Sequence, residues 1–235
     1  MSMAPNQLQP YGTWQEIAPG VWTLEGEWYE SRFKRRMTAI QTSAGLWIHN
    51  PFAMDEAGYR ALEALGSPRW IVAPNRMHAS DCGVARARFP GAELAVPNAL
   101  RKKFSRATVL REGHGPTEIE AIEVLGTRWM DEWVFFHRPT GTLIVTDLLF
   151  NLDMNVEPPL NAFERRFYLW DEIHEGLAAS KIFRWIFLRD RREFRKTFER
   201  LLALPVQWVV VNHGLCARAG KKELSRAFKN VFPDL

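Results

Sequence analysis

The sequence lacks several features that would place it outside ordinary intracellular globular proteins. Its 235 residues include only two cysteines, Cys82 and Cys216. They form neither a Cys-x-x-Cys pair nor a disulfide framework, so a reducing compartment fits best. The first residues contain no basic segment followed by an apolar run, which argues against a secretory signal. We therefore expect a cytoplasmic protein.

Long apolar runs and a strong charge of one sign are also missing. No stretch approaches ~18 consecutive apolar residues, so we expect no membrane partner. The net charge is only +4, and no nucleic-acid-binding module is present, so we expect no nucleic-acid partner. One segment, 181–200, carries eight basic and three acidic residues. A solvated helix face is favoured over a phosphate- or membrane-facing patch, because apolar residues recur at helical spacing in and just after this segment: Phe187, Phe194, Phe198, Leu201 and Leu202.

The composition is that of one globular domain. Hydrophobic residues make up 46% and charged residues 25% of the chain, and we find no repeat or low-complexity segment. We interpret 1–235 as a single domain, with a loose polar arm over residues 1–12. The ten tryptophans and fifteen phenylalanines are a high aromatic content. Several of them should line a pocket or an interface.

Hydrophobic patterning predicts an α/β fold with helices outside a sandwich of sheets. Short strands separated by turns come first, then a helix over 55–65 between an Asp cap and a terminal glycine. A strand–loop–helix–strand unit follows, with Asp81 able to cap the helix, and then a hairpin around the turn 138–141. Residues 151–204 are predicted to form a helical insertion. The remaining predicted elements are strands at 21–25, 37–41, 46–49, 70–73, 93–96, 119–124 and 206–211, and a helix at 221–231.

Polar, metal-capable residues follow four of these strands. His49 ends one, and the segment 75–81, with His78 and Asp81, follows another. Asp147 and His213 follow two late strands. Each has a structural alternative, because a single histidine is more often a hydrogen-bonded structural residue and an aspartate can cap a turn or helix. Two histidines and one carboxylate nevertheless suffice for a mononuclear metal site with open positions.

Two of these strand ends resemble a known family. The segment Val145–Phe150 is similar to the strand that delivers the metal-bridging Asp of the metallo-β-lactamase superfamily, and Val209–Gly214 is similar to the strand that delivers its last His. The resemblance implies a metallo-β-lactamase-like αββα sandwich over nearly the whole chain. The segments Ala73–His78 and Glu132–His137 are similar to an uncharacterised branch of that superfamily, a domain of unknown function.

The departures from the superfamily pattern concern its metal ligands. The signature His-x-His-x-Asp-His loop is reduced here to His78 and Asp81, and the middle His is missing from the region 126–129. A dinuclear zinc site therefore cannot be carried over. What remains is a degenerate site for one Zn or Fe ion, with Asp147 and His213 as ligands and His78 or Asp81 as the third.

Two functions stay open at this point. The first is a mononuclear metal-dependent hydrolase of unknown substrate, in which His78, Asp147 and His213 bind the metal. In this hypothesis Asp81 or Glu132 orients water or acts as general base, and His49 or Arg76 contacts a small-molecule substrate.

The second is a non-catalytic binding scaffold that has lost the metal site. Its aromatic side chains would line a pocket or a partner surface, or form a homodimer face on the insertion. For Trp133 and Phe135, which alternate on a strand, a place in the core is favoured. The other aromatics considered for such a surface are Trp129, Phe150, Phe163 and Trp170.

Overall fold

The structure is a computed structural model that describes residues 10–28, 31–155, 160–173 and 176–232. Most of the predicted N-terminal arm, residues 1–9, lies outside this range. The described part of the arm is paired with the sheet: the backbone N–H of Gly12 donates to the carbonyl of Glu25, and that of Glu27 donates to the carbonyl of Pro10.

The first sheet follows the chain order. Within the described residues it contains seven strands: β1 (Gln15–Ala18), β2 (Val21–Trp28), β3 (Ser31–Thr42), β4 (Gly45–His49), β5 (Pro68–Val72), β6 (Glu93–Val96) and β7 (Thr108–Val109). Neighbours from β1 to β4 pair antiparallel, and those from β4 to β7 pair parallel. The change of direction places the carboxyl ends of β4 and β5 at the same edge of the sheet.

The second sheet is built from the C-terminal half. In the described part of the chain it has five strands in the order β12-β11-β10-β9-β8: β8 (Ile119–Glu123), β9 (Trp133–His137), β10 (Thr142–Val145), β11 (Trp208–Val211) and β12 (Ala217–Arg218). Strands β10 and β11 are parallel, and the other pairs are antiparallel. The turn between β9 and β10 closes at Gly141, whose φ of 63° lies in the left-handed region that favours glycine.

Helices cover the outer face of each sheet, α1 (Glu56–Leu65) and α2 (Cys82–Arg88) on the first and α4 (Arg191–Ala203) and α5 (Lys221–Ala227) on the second. Helix α3 (Ala162–Asp171) lies in the segment between β10 and α4. Successive side chains of β9 point to opposite faces of the second sheet. Phe135 packs between the two sheets, whereas Phe136 lies in the outer apolar cluster together with Phe198 of α4. A third apolar cluster lies under α1 and α2. Helix, sheet, sheet and helix therefore form four successive layers, as the sequence predicts.

The predicted strands and the helix over 55–65 are confirmed, but three short strands, β1, β7 and β12, were not anticipated. The basic segment 181–200 places Phe194, Phe198 and Leu201 of α4 in the core, which fits the predicted solvated helix face. Helix α5 is shorter than predicted. Among the described residues, no helix is long and apolar enough to cross a membrane.

Two local predictions need correction. The segment 151–204 is not continuously helical: in the described residues α3 is followed by an extended bridge between Phe150 and Ala178 and by a single π-helical turn, Phe183–Phe187. Asp81 precedes α2 but its side chain makes no capping hydrogen bond. Its carboxylate instead accepts a charge-assisted hydrogen bond from the Arg35 guanidinium of β3 at 2.7 Å.

Candidate metal centre

The candidate site lies where the carboxyl ends of strands from both sheets meet. His49 ends β4, Asn75 and His78 follow β5, Asp147 follows β10, and His213 follows β11. Each of these strands is in a parallel pair, and such strand ends aim the following side chains into a common crevice. The topology therefore brings together residues that are as much as 164 positions apart in the chain.

Three side chains converge into one buried group. His78, Asp147 and His213 offer ligand atoms that all lie within 4.8 Å of one another. His78 Nε2 lies 3.3 Å from Asp147 Oδ2, and His213 Nε2 lies 3.5 Å from Asp147 Oδ1. Ligands in a tetrahedral zinc site with bonds of ~2.1 Å are about 3.4 Å apart, so these separations suit a single ion. The residues chosen from the sequence thus converge as that hypothesis required.

The His213 ring is held from two sides. Its Nδ1 lies 2.8 Å from the backbone carbonyl of Lys34, and its face stacks on Phe150 with the ring planes 9° apart. Because a carbonyl can only accept, Nδ1 carries a proton in this contact, and Nε2 faces the cluster. This backbone contact is the support that metal-bound histidines commonly have.

Asn75 joins the loop after β5 to Asp147. Its Oδ1 accepts hydrogen bonds from the backbone N–H groups of Met77 and His78, both at 2.9 Å. Its Nδ2 donates to Asp147 Oδ2 at 2.6 Å. The amide therefore fixes the start of the loop that carries His78 and orients the carboxylate that faces it.

Glu132 supports the opposite side of Asp147. It is fully buried, and its carboxylate accepts the backbone N–H groups of Thr146, Asp147 and Leu148 at 3.0–3.1 Å. Burial and the nearby Asp147 raise the pKa of Glu132 to about 8, although the hydrogen bonds it accepts oppose that shift. The side chain shapes the turn that presents Asp147.

Asp147 is the carboxylate that stays ionised. Burial alone would raise its pKa, but the histidines His78 and His213 outweigh burial and hold the pKa well below the ordinary range. A buried carboxylate that remains charged between two imidazoles is well suited to bind a cation.

Asn212 completes the group from the β11 side. Its Nδ2 lies 2.8 Å from His213 Nε2 and 3.4 Å from both ring nitrogens of His78. Its Oδ1 accepts from the backbone N–H of Arg36 at 2.9 Å and from Asn50 Nδ2 at 2.7 Å. The sequence argument did not assign a role to Asn75, Asn50 or Asn212. Their position beside histidines at strand ends was the available signal.

The other residues chosen from the sequence surround this group without joining it. His49 is buried between Trp47 and Phe135, and its Nε2 lies 3.4 Å from Thr146 Oγ1. Burial, with a smaller contribution from His78, lowers the pKa of His49 to about 3, so the ring stays neutral.

The chosen residues Arg76 and Asp81 belong to the same loop but face different neighbours. The Arg76 side chain is 46% exposed, and its Nε lies 3.6 Å from Asp131. Asp81 accepts from Arg35 and, at 3.3 Å, from the backbone N–H of Ala53. Arg76 is thus accessible from outside, whereas Asp81 anchors the end of the loop to the first sheet.

Solved structures with the same arrangement of layers are similar to this chain. A metallo-β-lactamase from Pontibacter korlensis matches with a TM-score of 0.60 and 14% identity, over 95% of this chain and 99% of that one. DIM-1 metallo-β-lactamase matches with a TM-score of 0.61 and 12% identity, over 96% and 100%. The chain has the metallo-β-lactamase fold. The Flv1 flavodiiron core from Synechocystis sp. PCC6803 matches at 0.63 and 14%, over 93% of this chain and 60% of that one.

No family model and no curated protein matches the sequence. At 12–14% identity, the similarity extends to the metallo-β-lactamase fold, and the chemistry of the site depends on this chain's own side chains. Among the described residues, the group His78, Asp147 and His213 is the one with the composition and spacing of a metal site.

Proposed function

We propose that this protein is a mononuclear metal-dependent hydrolase-like protein whose metal is bound by His78, Asp147 and His213. The observation that carries the proposal is the convergence of these three buried side chains within 4.8 Å. Two imidazoles and one carboxylate suit zinc, and the same set suits iron. One similar structure is a flavodiiron core, so iron must be assayed beside zinc.

The chemistry follows from the ion and its surroundings. A bound Zn or Fe ion would polarise an ester, amide or phosphate oxygen of a small-molecule substrate and lower the pKa of a bound water. Three protein ligands leave room for both. Asn75 and Glu132 hold Asp147 in place, and the Lys34 carbonyl orients His213.

The roles of the surrounding residues follow their accessibility. We assign substrate contact to Arg76, because its exposed guanidinium can bind a carboxylate or phosphate group. His49 has no exposed surface to offer a substrate, so we place it among the residues that support the site. Glu132 and Asp81 are engaged with backbone N–H groups or Arg35, and we treat them as positioning residues instead of as the general base.

A binding scaffold is the second candidate, and two observations favour it. Asp147 and His213 already receive hydrogen bonds from the amides of Asn75 and Asn212, so no ion is needed to satisfy them. In addition, a cavity of about 710 Å³ lies between the first sheet and the segment that follows β11. Its lining includes Glu25, Arg36 and Cys216.

The aromatics considered for a scaffold surface occupy other places. Trp133 is in the core and Phe150 stacks on His213, whereas Trp129, Phe163 and Trp170 are exposed. On this structure a scaffold would take a polar small molecule in the cavity. A homodimer face on the insertion remains a proposal that rests on the exposed aromatics.

The metal content of the purified protein decides between the two candidates. We expect about one equivalent of zinc or iron in the wild type by plasma mass spectrometry, and loss of it in Asp147→Ala and His213→Ala. His114→Ala is the matched control, because His114 pairs with Glu93 outside the group. Metal that survives both substitutions, or a wild type that binds none after incubation with zinc or iron, would reject the metal centre and favour the scaffold.

A further inference from the structure

We infer that Asn212 lowers the metal affinity of the site by acting as a built-in hydrogen-bonding competitor for its ligand atoms. The inference rests on the proposed function, because it concerns the same His78, Asp147 and His213 group. Asn212 acts through the histidines and is therefore a positioning residue. It is 3% exposed and lies directly before His213 on the loop after β11.

The orientation of the Asn212 amide is fixed by its oxygen. Oδ1 accepts two hydrogen bonds, from the backbone N–H of Arg36 and from Asn50 Nδ2. Both partners are donors, so a flipped amide would place its NH₂ group against two N–H groups. The Asn50 amide is itself fixed, because its Nδ2 also donates to the Arg36 carbonyl at 2.9 Å. The NH₂ group of Asn212 therefore has to face the histidines.

This NH₂ group lies where a cation would bind. It lies 2.8 Å from His213 Nε2, whose lone pair accepts from it in the tautomer that carries its proton on Nδ1. A metal bond of ~2.0–2.1 Å would use the same lone pair. The amide hydrogens carry partial positive charge, so an ion must displace the hydrogen bond and also meets electrostatic repulsion.

Asn75 has the equivalent contact on the carboxylate, at Asp147 Oδ2. The hydrogen bonds from Asn75 and Asn212 thus already satisfy ligand atoms of Asp147 and His213. An ion would have to replace these hydrogen bonds, so the net free energy gained on metal binding would be smaller.

Three variants test the inference. Asn212→Leu removes the amide donor and adds no ligand, so zinc should bind about tenfold more tightly than to the wild type, the effect of losing one competing hydrogen bond. Asn212→Asp keeps the Oδ1 acceptor for Arg36 and Asn50 and adds a carboxylate beside His213. Its zinc affinity should rise by about 100-fold. Asn98→Asp makes the same charge change at an exposed position and should match the wild type.

The affinities are measured by competition with a chromogenic zinc chelator. The ¹⁵N chemical shift of His213 Nε2 in the metal-free protein gives a second readout, and it should move downfield in Asn212→Leu because a hydrogen-bond donor is lost. If Asn212→Leu does not fold, Asn212→Ala decides, because it also removes the donor and adds no ligand.

The outcomes separate this inference from the proposed function. Tighter binding by both Asn212 variants with a changed Nε2 shift supports the inference. Zinc binding by Asn212→Leu but not by the wild type also supports it, while rejecting a metal centre in the wild type. An Asn212→Leu variant that binds no more tightly than a metal-binding wild type overturns the inference and leaves the proposed function standing, even if Asn212→Asp binds more tightly through its added carboxylate. Absence of zinc from all of them overturns both.

Discussion

Replacing Glu132 with alanine is expected to lower the free energy of unfolding by about 3 kcal/mol or more. The substitution leaves the backbone N–H groups of Thr146, Asp147 and Leu148 without their acceptor in a buried turn. Each buried donor without a partner costs about 1–3 kcal/mol, and the cavity left by the side chain adds to the loss. Chemical denaturation followed by tryptophan fluorescence measures the effect.

Glu132→Gln distinguishes the hydrogen bonds from the side-chain volume. Glutamine keeps one acceptor oxygen but places an NH₂ group where Glu132 Oε2 accepts from Asn75, so a smaller loss of about 1–2 kcal/mol is expected. Glu199→Ala, at an exposed position of α4, should stay within about 0.5 kcal/mol of the wild type. An equally small effect of Glu132→Ala would refute the supporting role of Glu132.

Replacing Gly214 with alanine should lower the free energy of unfolding by about 3 kcal/mol and also weaken metal binding. Gly214 has a φ of 107°, and a Cβ atom there would overlap the backbone carbonyl of Asn151. Strain in this backbone region costs about 1–3 kcal/mol, and the overlap requires a further shift of the chain. Because His213 precedes Gly214 directly, the shift would move a proposed ligand.

The matched control for this substitution is Gly91→Ala. A Cβ atom at Gly91 meets nothing within 4 Å, so its stability should stay close to that of the wild type. Thermal unfolding and zinc titration of both variants test the prediction. Wild-type stability together with wild-type zinc affinity in Gly214→Ala would show that the contact between residues 151 and 214 does not position the site.

The fold could be predicted largely because local signals mark its boundaries. Gly66 and Gly141 end a helix and a turn in conformations that favour glycine, and both were recognised from their neighbours in the sequence. The alternation around Trp133 and Phe135 also placed these rings in the core. The helical period of 151–204 was misleading, because Phe187 belongs to a separate π-helical turn and does not extend α4.

The part of the site that the sequence could predict consists of the metal-capable residues that follow predicted strands. His78, Asp147 and His213 follow strands, and the parallel pairing brings them together. The asparagines were missed because their partners are distant in sequence, as in the contact between Asn50 and Asn212, which are 162 residues apart. An amide gives no periodic or charge signal, and its orientation depends on donors that only the folded chain supplies.

The most direct test of the central claim is to locate an ion in crystals soaked with zinc or iron, using anomalous scattering at the metal edge. The account predicts a single peak bonded to His78, Asp147 and His213 at ~2.0–2.2 Å, with the hydrogen bond from the Asn212 amide to His213 Nε2 broken. A peak elsewhere, or no peak and an unchanged hydrogen bond between Asn212 and His213 at saturating metal, would contradict it.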